Sequence, residues 1–191
     1  MIESHNSNRP ATVAVLMSGG IDSLACAHML RGQGMQVRAI FVDYGQAALE
    51  PERDAVNSLT ASLDIPLTTV SARGGNAFNT GELIGRNAFF VAAALFLGDV
   101  REGLIALGIH AGTPYYDCSP NFLKQIQNLT EEQTGGRVSV SAPFVSWNKR
   151  QIHQYVTSAG LLLEETYSCE AGTVPTCGAC ASCQDREALQ C

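Results

Sequence analysis

The amino-acid sequence predicts an α/β fold whose central sheet is mainly parallel. Short apolar stretches typical of strands alternate along the chain with segments that have helical spacing. Strands separated by helices form βαβ units, in which the strands run parallel and the crossovers are right-handed. The chain has 191 residues, of which 46% are hydrophobic, so we expect one domain, with at most a small appendage, around a sizeable core.

The first half of the chain contains two helices between three strands. The helix expected over residues 22–33 ends before Gly34, a residue typical of helix stops. The helix expected over 51–63 begins with a proline and repeats apolar residues four positions apart. Short apolar or β-branched runs predict strands at residues 12–17, 37–44 and 66–72.

The second half continues the alternation after a Gly/Asn-rich stretch, residues 73–85, which is expected to be a functional loop or a lid. Ligands in parallel sheets bind at the carboxyl ends of strands, near a switch in strand order. The loops after the first, second and fourth strands are therefore the predicted sites. Strands are expected over 103–110 and 137–144, and helices over 86–97, 121–132 and 148–158.

Composition restricts the class of protein. The formal net charge of −6 argues against a protein that coats nucleic acid, since phosphate binding depends on surplus lysine and arginine. The apolar runs are shorter than the roughly 18 residues that a membrane span needs, and the N-terminus lacks a signal-peptide core, so we expect a cytoplasmic protein. Seven cysteines in such a chain indicate metal binding or catalysis more than disulfides.

The first loop, "SGGIDS", runs from a buried strand into a helix. Ser18, Gly19 and Gly20 lack bulk, so their backbone N–H groups can approach a ligand closely, and the helix N-terminus that follows favours an anion. The segment is not a Walker A loop and contains no lysine. The alternative is a tight Gly-Gly turn in which Asp22 or Ser23 caps the helix.

Four cysteines cluster near the C-terminus in the pattern C-x7-C-x2-C-x2-C. Thiolates two residues apart on a tight turn can chelate one ion from the same side, and four sulfurs complete a tetrahedral Zn²⁺ site without an open position. Such a zinc ion would be structural. An iron–sulfur centre and a group of merely buried thiols are the alternatives. The four residues are Cys169, Cys177, Cys180 and Cys183.

The "SGGIDS" loop resembles that of the PP-loop ATP pyrophosphatases, which cleave ATP between its α and β phosphates. Together with the cysteines, the chain resembles one branch of these enzymes, the 7-cyano-7-deazaguanine synthase family. The resemblance covers most of the chain, and its pieces occur in the family's order. They are "FVDYGQ" at 41–46, "GRN" at 85–87, "YDC" at 116–118 followed by Pro120, "NK" at 148–149 and "TYSC" at 166–169.

The resemblance implies a Rossmann-like, five-stranded PP-loop domain over residues 1–165 and a zinc module over 166–191. It also implies roles for single residues. Asp22 would orient the loop or help to hold Mg²⁺, and Lys149 would neutralise phosphate. The catalytic set would be Ser18, Asp22, Ser23 and Lys149; the ATP-binding set would be Ser18, Gly19, Gly20, Asp22, Ser23, Val42, Asp43, Tyr44, Gly85, Arg86 and Asn87; the substrate-binding set would be Tyr44, Gln46, Arg86 and Asp117.

The activity that the resemblance implies has two activations. ATP converts 7-carboxy-7-deazaguanine to an acyl-adenylate, ammonia gives the amide, and adenylation of the amide oxygen with loss of AMP gives the nitrile. ATP, Mg²⁺ and structural Zn²⁺ are the expected cofactors. A homodimer is also expected, and neither a membrane nor nucleic acid is expected as a partner.

Three departures from the family pattern lie in the presumed active-site loops. Ala47 and Ala48 replace an Arg-His pair, Ser119 replaces an arginine, and the lead-in to "GRN" is changed to "ELI". Small residues there would permit a channel, so the acyl acceptor could instead be a protein N-terminal amine, as in deazaguanine-conjugating proteins of antiviral operons. A tRNA-modifying PP-loop enzyme and a non-catalytic, zinc-stabilised partner protein are the remaining alternatives.

Overall fold

The computed structural model describes residues 11–74, 78 and 81–189. A sheet of five parallel strands forms its centre, in the order β3-β2-β1-β4-β5. The strands are β1 (Thr12–Leu16), β2 (Gln36–Asp43), β3 (Leu67–Ser71), β4 (Gly103–Ala106) and β5 (Val138–Ser141). The prediction of a five-stranded parallel α/β fold is therefore confirmed.

Six helices accompany the sheet, together with short 3-10 helices at Tyr116–Cys118 and Leu163–Glu165. Five of the six were predicted to within about three residues at each end. The helices are α1 (Ile21–Gly32), α2 (Leu49–Ser62), α3 (Arg86–Phe96), α4 (Pro120–Thr134), α5 (Lys149–Ser158) and α6 (Ala181–Leu189).

The order of the strands reverses beside β1. The chain proceeds outward from β1 to β2 and β3, then returns to the other side of β1 to add β4 and β5. Val13 of β1 accordingly pairs with Val37 on one side and with Leu104 on the other. The loops that follow β1 and β4 diverge at this point, and the crevice between them is the expected place for a ligand.

The core lies on both faces of the sheet, because successive strand residues point to opposite sides. Val13 and Val15 pack with the buried side chains of α1, α2 and α5. Ala14 and Leu16 pack with those of α3 and α4 on the other face. Packing on both faces of the sheet fixes the positions of the strands, and therefore of the loops that follow their carboxyl ends.

Three features differ from the expected boundaries. The strand expected over 137–144 is shorter, because β5 spans only Val138–Ser141. The strand expected over 103–110 ends at Ala106, because the chain then turns against the start of α1: a Cβ atom at Gly108 would lie 3.0 Å from the Ser23 nitrogen. The C-terminal segment contains α6, which was not predicted. None of the described helices is long and apolar enough to cross a membrane.

Candidate active site and metal centre

The loop between β1 and α1 is shaped by close packing against α2. Gly19 has a φ of +80°, and a Cβ atom there would come within 3.0 Å of both the Glu52 carbonyl oxygen and the Ala55 Cβ atom. Glycine is the residue that accepts this conformation without a steric penalty. The loop backbone can therefore approach both α2 and a ligand closely.

The N-terminus of α1 has no side-chain cap within the described residues; its N-cap residue is Gly20 in an extended conformation. The Ser23 hydroxyl instead donates to the Gly20 carbonyl (2.9 Å) and accepts a hydrogen bond from the Ser18 N–H (3.3 Å). The structure thus differs from the alternative in which Asp22 or Ser23 caps the helix. Uncapped N–H groups at a helix start form a site suited to anions.

Asp22 meets two basic side chains beside this helix start. Its Oδ2 atom lies 2.5 Å from the Lys149 Nζ and 3.9 Å from the His110 Nε2. The His110 Nδ1 lies 2.7 Å from the Ala111 carbonyl, which can only accept a hydrogen bond, so Nδ1 carries a proton. The Asp22 Oδ1 atom is buried and has no hydrogen-bond partner in the part of the chain that the structure describes. A buried carboxylate oxygen without a donor suits a hard cation.

A capping box places Lys149 at the first position of α5. The Asn148 side chain accepts a hydrogen bond from the Gln151 N–H, and the Gln151 side chain accepts one from the Asn148 N–H, each at 2.9 Å. The pair satisfies two exposed donors at the helix start. The ammonium group of Lys149 is thereby directed toward α1.

One cavity of about 330 Å³ joins these groups to the end of β2 and the start of α3. It brings together most of the residues predicted for the site. Gly19, Asp43 and Gly85 are not among the residues that line it. The predicted residues that do line it are Ser18, Gly20, Asp22, Ser23, Val42, Tyr44, Gln46, Arg86, Asn87, Asp117 and Lys149.

Asp43 forms ion pairs at the edge of the sheet. Its carboxylate lies 2.6 Å from the Arg73 Nη2 and 3.7 Å from the Arg53 Nη2, and it accepts a hydrogen bond from the Gly45 N–H. The Arg73 guanidinium holds the pKa of this carboxyl below its usual range. These contacts direct the carboxylate toward α2 and the segment after β3.

The rings of Tyr44, Phe78 and Phe90 form one wall of the cavity, the ring wall. The Tyr44 ring centroid lies 5.4 Å from that of Phe78 and 5.3 Å from that of Phe90. The Arg86 guanidinium carbon lies 5.9 Å from the centre of the Phe90 ring. A wall of rings with an adjacent cation suits a planar, anionic ligand.

Asp117 is held at the same end of the cavity by the start of α3. The Asn87 N–H donates to the Asp117 Oδ2 (3.3 Å), and the Asn87 side-chain amide donates to the Asp117 carbonyl (3.0 Å). Asn87 is buried, so these bonds fix the 3-10 helix that contains Asp117 against α3. The carboxylate is therefore positioned to accept further hydrogen bonds inside the cavity.

Glu52 also lines the cavity, and the sequence analysis did not single it out. Gln46 donates its side-chain amide to the Glu52 Oε2 (2.9 Å) and to the Val42 carbonyl (3.3 Å), while its own Oε1 accepts from the Tyr44 N–H (3.0 Å). Removal from solvent raises the pKa of Glu52 to about 7, although the Gln46 hydrogen bond and the Arg86 charge both act to lower it. The sequence signal was only an acidic residue in the first turn of a helix, which is common.

The four clustered cysteines meet at one point near the C-terminus. Their Sγ atoms all lie within 4.8 Å of one another, and those of Cys177 and Cys183 are 3.9 Å apart. Four ligands about 2.3 Å from a tetrahedral Zn²⁺ ion are separated by about 3.8 Å. In a four-iron cluster each thiolate binds a different iron, which spaces the sulfurs more widely. The cluster can therefore hold a metal, and its spacing favours a single ion such as zinc.

The cysteine-bearing segment is joined to the cavity by several contacts. The Tyr167 N–H donates to the Gly19 carbonyl (2.9 Å). Glu170 accepts hydrogen bonds from the Ser182 N–H and hydroxyl and from the Gly81 N–H. Gly172 packs so tightly that a Cβ atom there would lie 2.2 Å from the Ala47 carbonyl oxygen. The segment thus supports both the loop and the entrance to α3.

The residues that replace family side chains have different surroundings. Ala47 is exposed, Ala48 is buried, and both line the cavity. Ser119 is absent from the lining; its hydroxyl accepts a hydrogen bond from the Phe122 N–H and caps α4. The change to serine therefore has a structural explanation in the helix that follows.

The sheet order and the open loop before α1 define an α/β fold of the PP-loop type. Two solved structures share this fold. The U34-tRNA thiolase NcsA from Methanococcus maripaludis has a TM-score of 0.60 at 15% identity, covering 95% of this chain and 64% of that one. The NH3-dependent NAD synthetase from Campylobacter jejuni has a TM-score of 0.51 at 16% identity, covering 85% and 72%.

Sequence comparison identifies the family within this class. The family model described as queuosine biosynthesis protein QueC matches residues 12–84 and 76–190. A curated relative, the 7-cyano-7-deazaguanine synthase of Prochlorococcus marinus (strain NATL2A), is 31% identical over 92% of this chain and 91% of its own length. The chain belongs to the QueC family.

Proposed function

We propose that this chain is an AMP-forming carbon–nitrogen ligase that adenylates 7-carboxy-7-deazaguanine and transfers the acyl group to ammonia. The amide would then be dehydrated to 7-cyano-7-deazaguanine. The observation that carries the proposal is the single cavity that joins the helix start at Gly20 to the ring wall at Tyr44. Membership of the QueC family supports the choice of substrate.

The nucleotide half of the site is proposed at the start of α1. The pyrophosphate end of ATP would accept hydrogen bonds from the first-turn N–H groups and the Ser18 and Ser23 region, with Lys149 supplying positive charge. Asp22 would hold Mg²⁺ through its Oδ1 atom, and the ion would supply positive charge beside the phosphates, because a carboxylate next to phosphate needs a cation. Lys149, already 2.5 Å from Asp22, is close enough to support both.

The substrate half is proposed at the ring wall. The flat deazaguanine would lie against Tyr44 and Phe90, and its N–H edge would donate to Asp117. Arg86, at the start of α3, would pair with the carboxylate of the substrate. Because the amide of Gln46 already makes three hydrogen bonds within the protein, Gln46 would support the wall rather than contact the base.

In the first step of the proposed reaction, charge stabilisation contributes more to the rate than acid–base chemistry does. A substrate carboxylate oxygen attacks the α-phosphorus of ATP, and pyrophosphate leaves with the bonding electron pair. The resulting acyl-adenylate is open to ammonia because AMP is a far better leaving group than an oxide ion. Positioning at the loop and neutralisation by Lys149 and the metal would supply most of the acceleration.

The cysteine module over residues 166–191 is proposed to hold structural Zn²⁺, and residues 1–165 to form the ATP-binding domain. Four thiolates would complete the coordination of the ion and leave no open position for a reacting molecule. The contacts to Gly19 and Gly81 give the module a supporting role for the site.

The proposal is tested by incubating the protein with ATP, Mg²⁺, ammonia and 7-carboxy-7-deazaguanine. We expect AMP, pyrophosphate, amide and nitrile by mass spectrometry. Asp22→Ala should abolish AMP formation while the melting curve stays intact, whereas Asp54→Ala, an exposed aspartate on α2, should leave turnover unchanged. Full activity of Asp22→Ala would contradict the assignment of the loop.

The same assay identifies the acceptor amine. A candidate protein with a free N-terminus replaces ammonia, and intact-mass measurement follows the acyl group. Free nitrile without an adduct supports the proposed synthase, and an adduct without nitrile supports conjugation to protein. Absence of substrate-dependent pyrophosphate release with either acceptor would reject the enzyme and leave the non-catalytic alternative.

A further inference from the structure

Glu52 lies at the boundary between the two halves of the cavity. Its backbone belongs to the first turn of α2 and packs against Gly19 of the loop. Its carboxylate lines the cavity and accepts the Gln46 hydrogen bond. A group whose backbone contacts the loop and whose charge acts on Tyr44 of the ring wall is close to where the substrate acid and the nucleotide would meet.

One cation and two tyrosine hydroxyls interact with the Glu52 carboxylate. Arg86, from α3, faces it as a cation, and its positive charge favours the ionised carboxylate. Tyr44, after β2, and Tyr167, from the C-terminal segment, are the titratable hydroxyls that the Glu52 charge affects. Removal from solvent raises the pKa of Glu52 to about 7, and the group exchanges a proton readily near neutral pH.

Glu52 is not needed as a base in the first step of the proposed reaction, because adenylation consumes a carboxylate and releases no proton. The second step does release one. Ammonia that attacks the acyl carbon becomes positively charged, and one proton must leave nitrogen before the amide is formed. A partly buried carboxylate near the acyl group is suited both to binding the incoming amine and to accepting that proton.

We propose that Glu52 is the catalytic base that takes a proton from the amine in the acyl-transfer step. This inference rests on the proposed function and adds a residue to it. The nitrogen lone pair forms the C–N bond, the bond between the acyl carbon and the phosphate oxygen breaks, and AMP leaves with that electron pair. The proton passes from nitrogen to the Glu52 carboxylate, which later releases it to water.

Gln46 is a positioning residue in this scheme. Its amide fixes the orientation of the carboxylate through one donor and is itself held by the Val42 carbonyl and the Tyr44 N–H. The role predicted from sequence for Gln46, direct contact with the substrate, is replaced in this proposal by orientation of Glu52.

The test separates the two half-reactions with Glu52→Gln. In a single turnover without ammonia, we expect the variant to release pyrophosphate within about threefold of the wild-type rate. With ammonia, amide formation should fall by roughly 10²-fold or more, the range of general-base contributions. Hydroxylamine, a stronger and uncharged nucleophile at neutral pH, should trap the acyl-adenylate as hydroxamate in both proteins.

Glu50→Gln is the matched control, since Glu50 carries the same side chain two residues earlier and is exposed. It should leave both half-reactions unchanged. Loss of pyrophosphate release in a folded Glu52→Gln variant would overturn the role as base, and so would normal amide formation. If the wild-type protein itself releases no pyrophosphate, the proposed function fails instead, so the two failures are distinguishable.

A second measurement applies if Glu52→Gln does not fold. The wild-type rate of amide formation is measured in a single turnover against pH, with the concentration of free ammonia held constant. A base must be deprotonated to act, so the rate should rise through a pKa near 7. A rate independent of pH between 5.5 and 8.5 would overturn the proposal.

Discussion

Gly19 shows how a single residue links the loop to the rest of the site. Its positive φ and its contacts with α2 place the backbone of the loop directly against the helix that carries Glu52. Any side chain at this position would move the loop and the helix apart. The geometry of the proposed nucleotide half and that of the proposed base therefore depend on the same packing contact.

Glu52 is expected to lower the stability of the folded protein above neutral pH. Its pKa is raised from an ordinary 4.5 to about 7, so the folded state holds a proton that the unfolded state has already released. Stability contributed by the protonated form is lost as the pH rises from about 4.5 to about 7. The loss approaches roughly 3 kcal/mol, at about 1.4 kcal/mol for each pH unit between the two pKa values.

Glu52→Gln removes this ionisation. The variant should match the wild type in urea unfolding near pH 4.5 and exceed it at pH 8, by an amount of up to about 3 kcal/mol. Glu50→Gln, at an exposed position, should show no such pH dependence. A stability difference for Glu52→Gln that is the same at both pH values would contradict the raised pKa.

Two capped helices, α4 and α5, give a comparison at the level of secondary structure. Ser119 caps α4 and Asn148 caps α5, each through a hydrogen bond to a first-turn N–H. Both helices begin near the cavity, but only α5 places a predicted catalytic residue, Lys149, at its first position. The stability effects of the two caps should be similar and their effects on activity different.

Ser119→Ala and Asn148→Ala test this distinction. Each should reduce the free energy of unfolding by about 1 kcal/mol, measured in urea, because one N–H loses its partner. Asn148→Ala should also slow pyrophosphate release, since Lys149 is less well held beside Asp22. Equal turnover in the two variants would indicate that the cap of α5 does not position Lys149.

The sequence was sufficient for the elements with strong local patterns. The apolar runs at β1 and β2 and the spacing of Ala55, Leu59 and Leu63 in α2 each lie within one helix or strand, so periodicity could detect them. α6 was not predicted; Arg186 holds this helix in place through the Thr166 and Leu163 carbonyls, which belong to a segment outside it. Such contacts between distant segments leave no local pattern.

The position of the first loop could be predicted from the sequence in the same way. Ser18, Gly20 and Asp22 follow a strand directly and are adjacent to the helix start, as the pattern required. The ion pair of Asp43 depends on Arg73, which lies after β3, and the raised pKa of Glu52 depends on its removal from solvent in the folded chain. Neither environment could be inferred without the fold.

The C-terminal segment connects the metal centre to the rest of the molecule. Its contacts reach the loop at Gly19, the backbone at Ala47 and the lead-in to α3 at Gly81. A structural metal contributes folding free energy directly, because the unfolded chain has no preformed site. Loss of the metal is therefore expected to weaken the cavity as well as the module.

Cys180→Ser should lower the bound metal and the melting temperature together. Metal content is measured by inductively coupled plasma mass spectrometry, which also distinguishes zinc from iron. ATP affinity is measured by calorimetry. Cys191→Ser, a change outside the C-x7-C-x2-C-x2-C pattern of the sequence, serves as the control and should alter neither the metal content nor the melting temperature. A wild-type protein that contains no metal and melts normally would contradict the assignment of the cluster.

The hydrogen bond from the Tyr167 N–H to the Gly19 carbonyl has a consequence for cells that are short of zinc. Molecules that have not acquired the proposed ion would lack this support behind the turn that is proposed to bind phosphate, even with every proposed catalytic side chain present. The supply of zinc would then determine what fraction of the newly made protein can use ATP. The rate of ATP consumption by this protein would therefore depend on the zinc available to the cell.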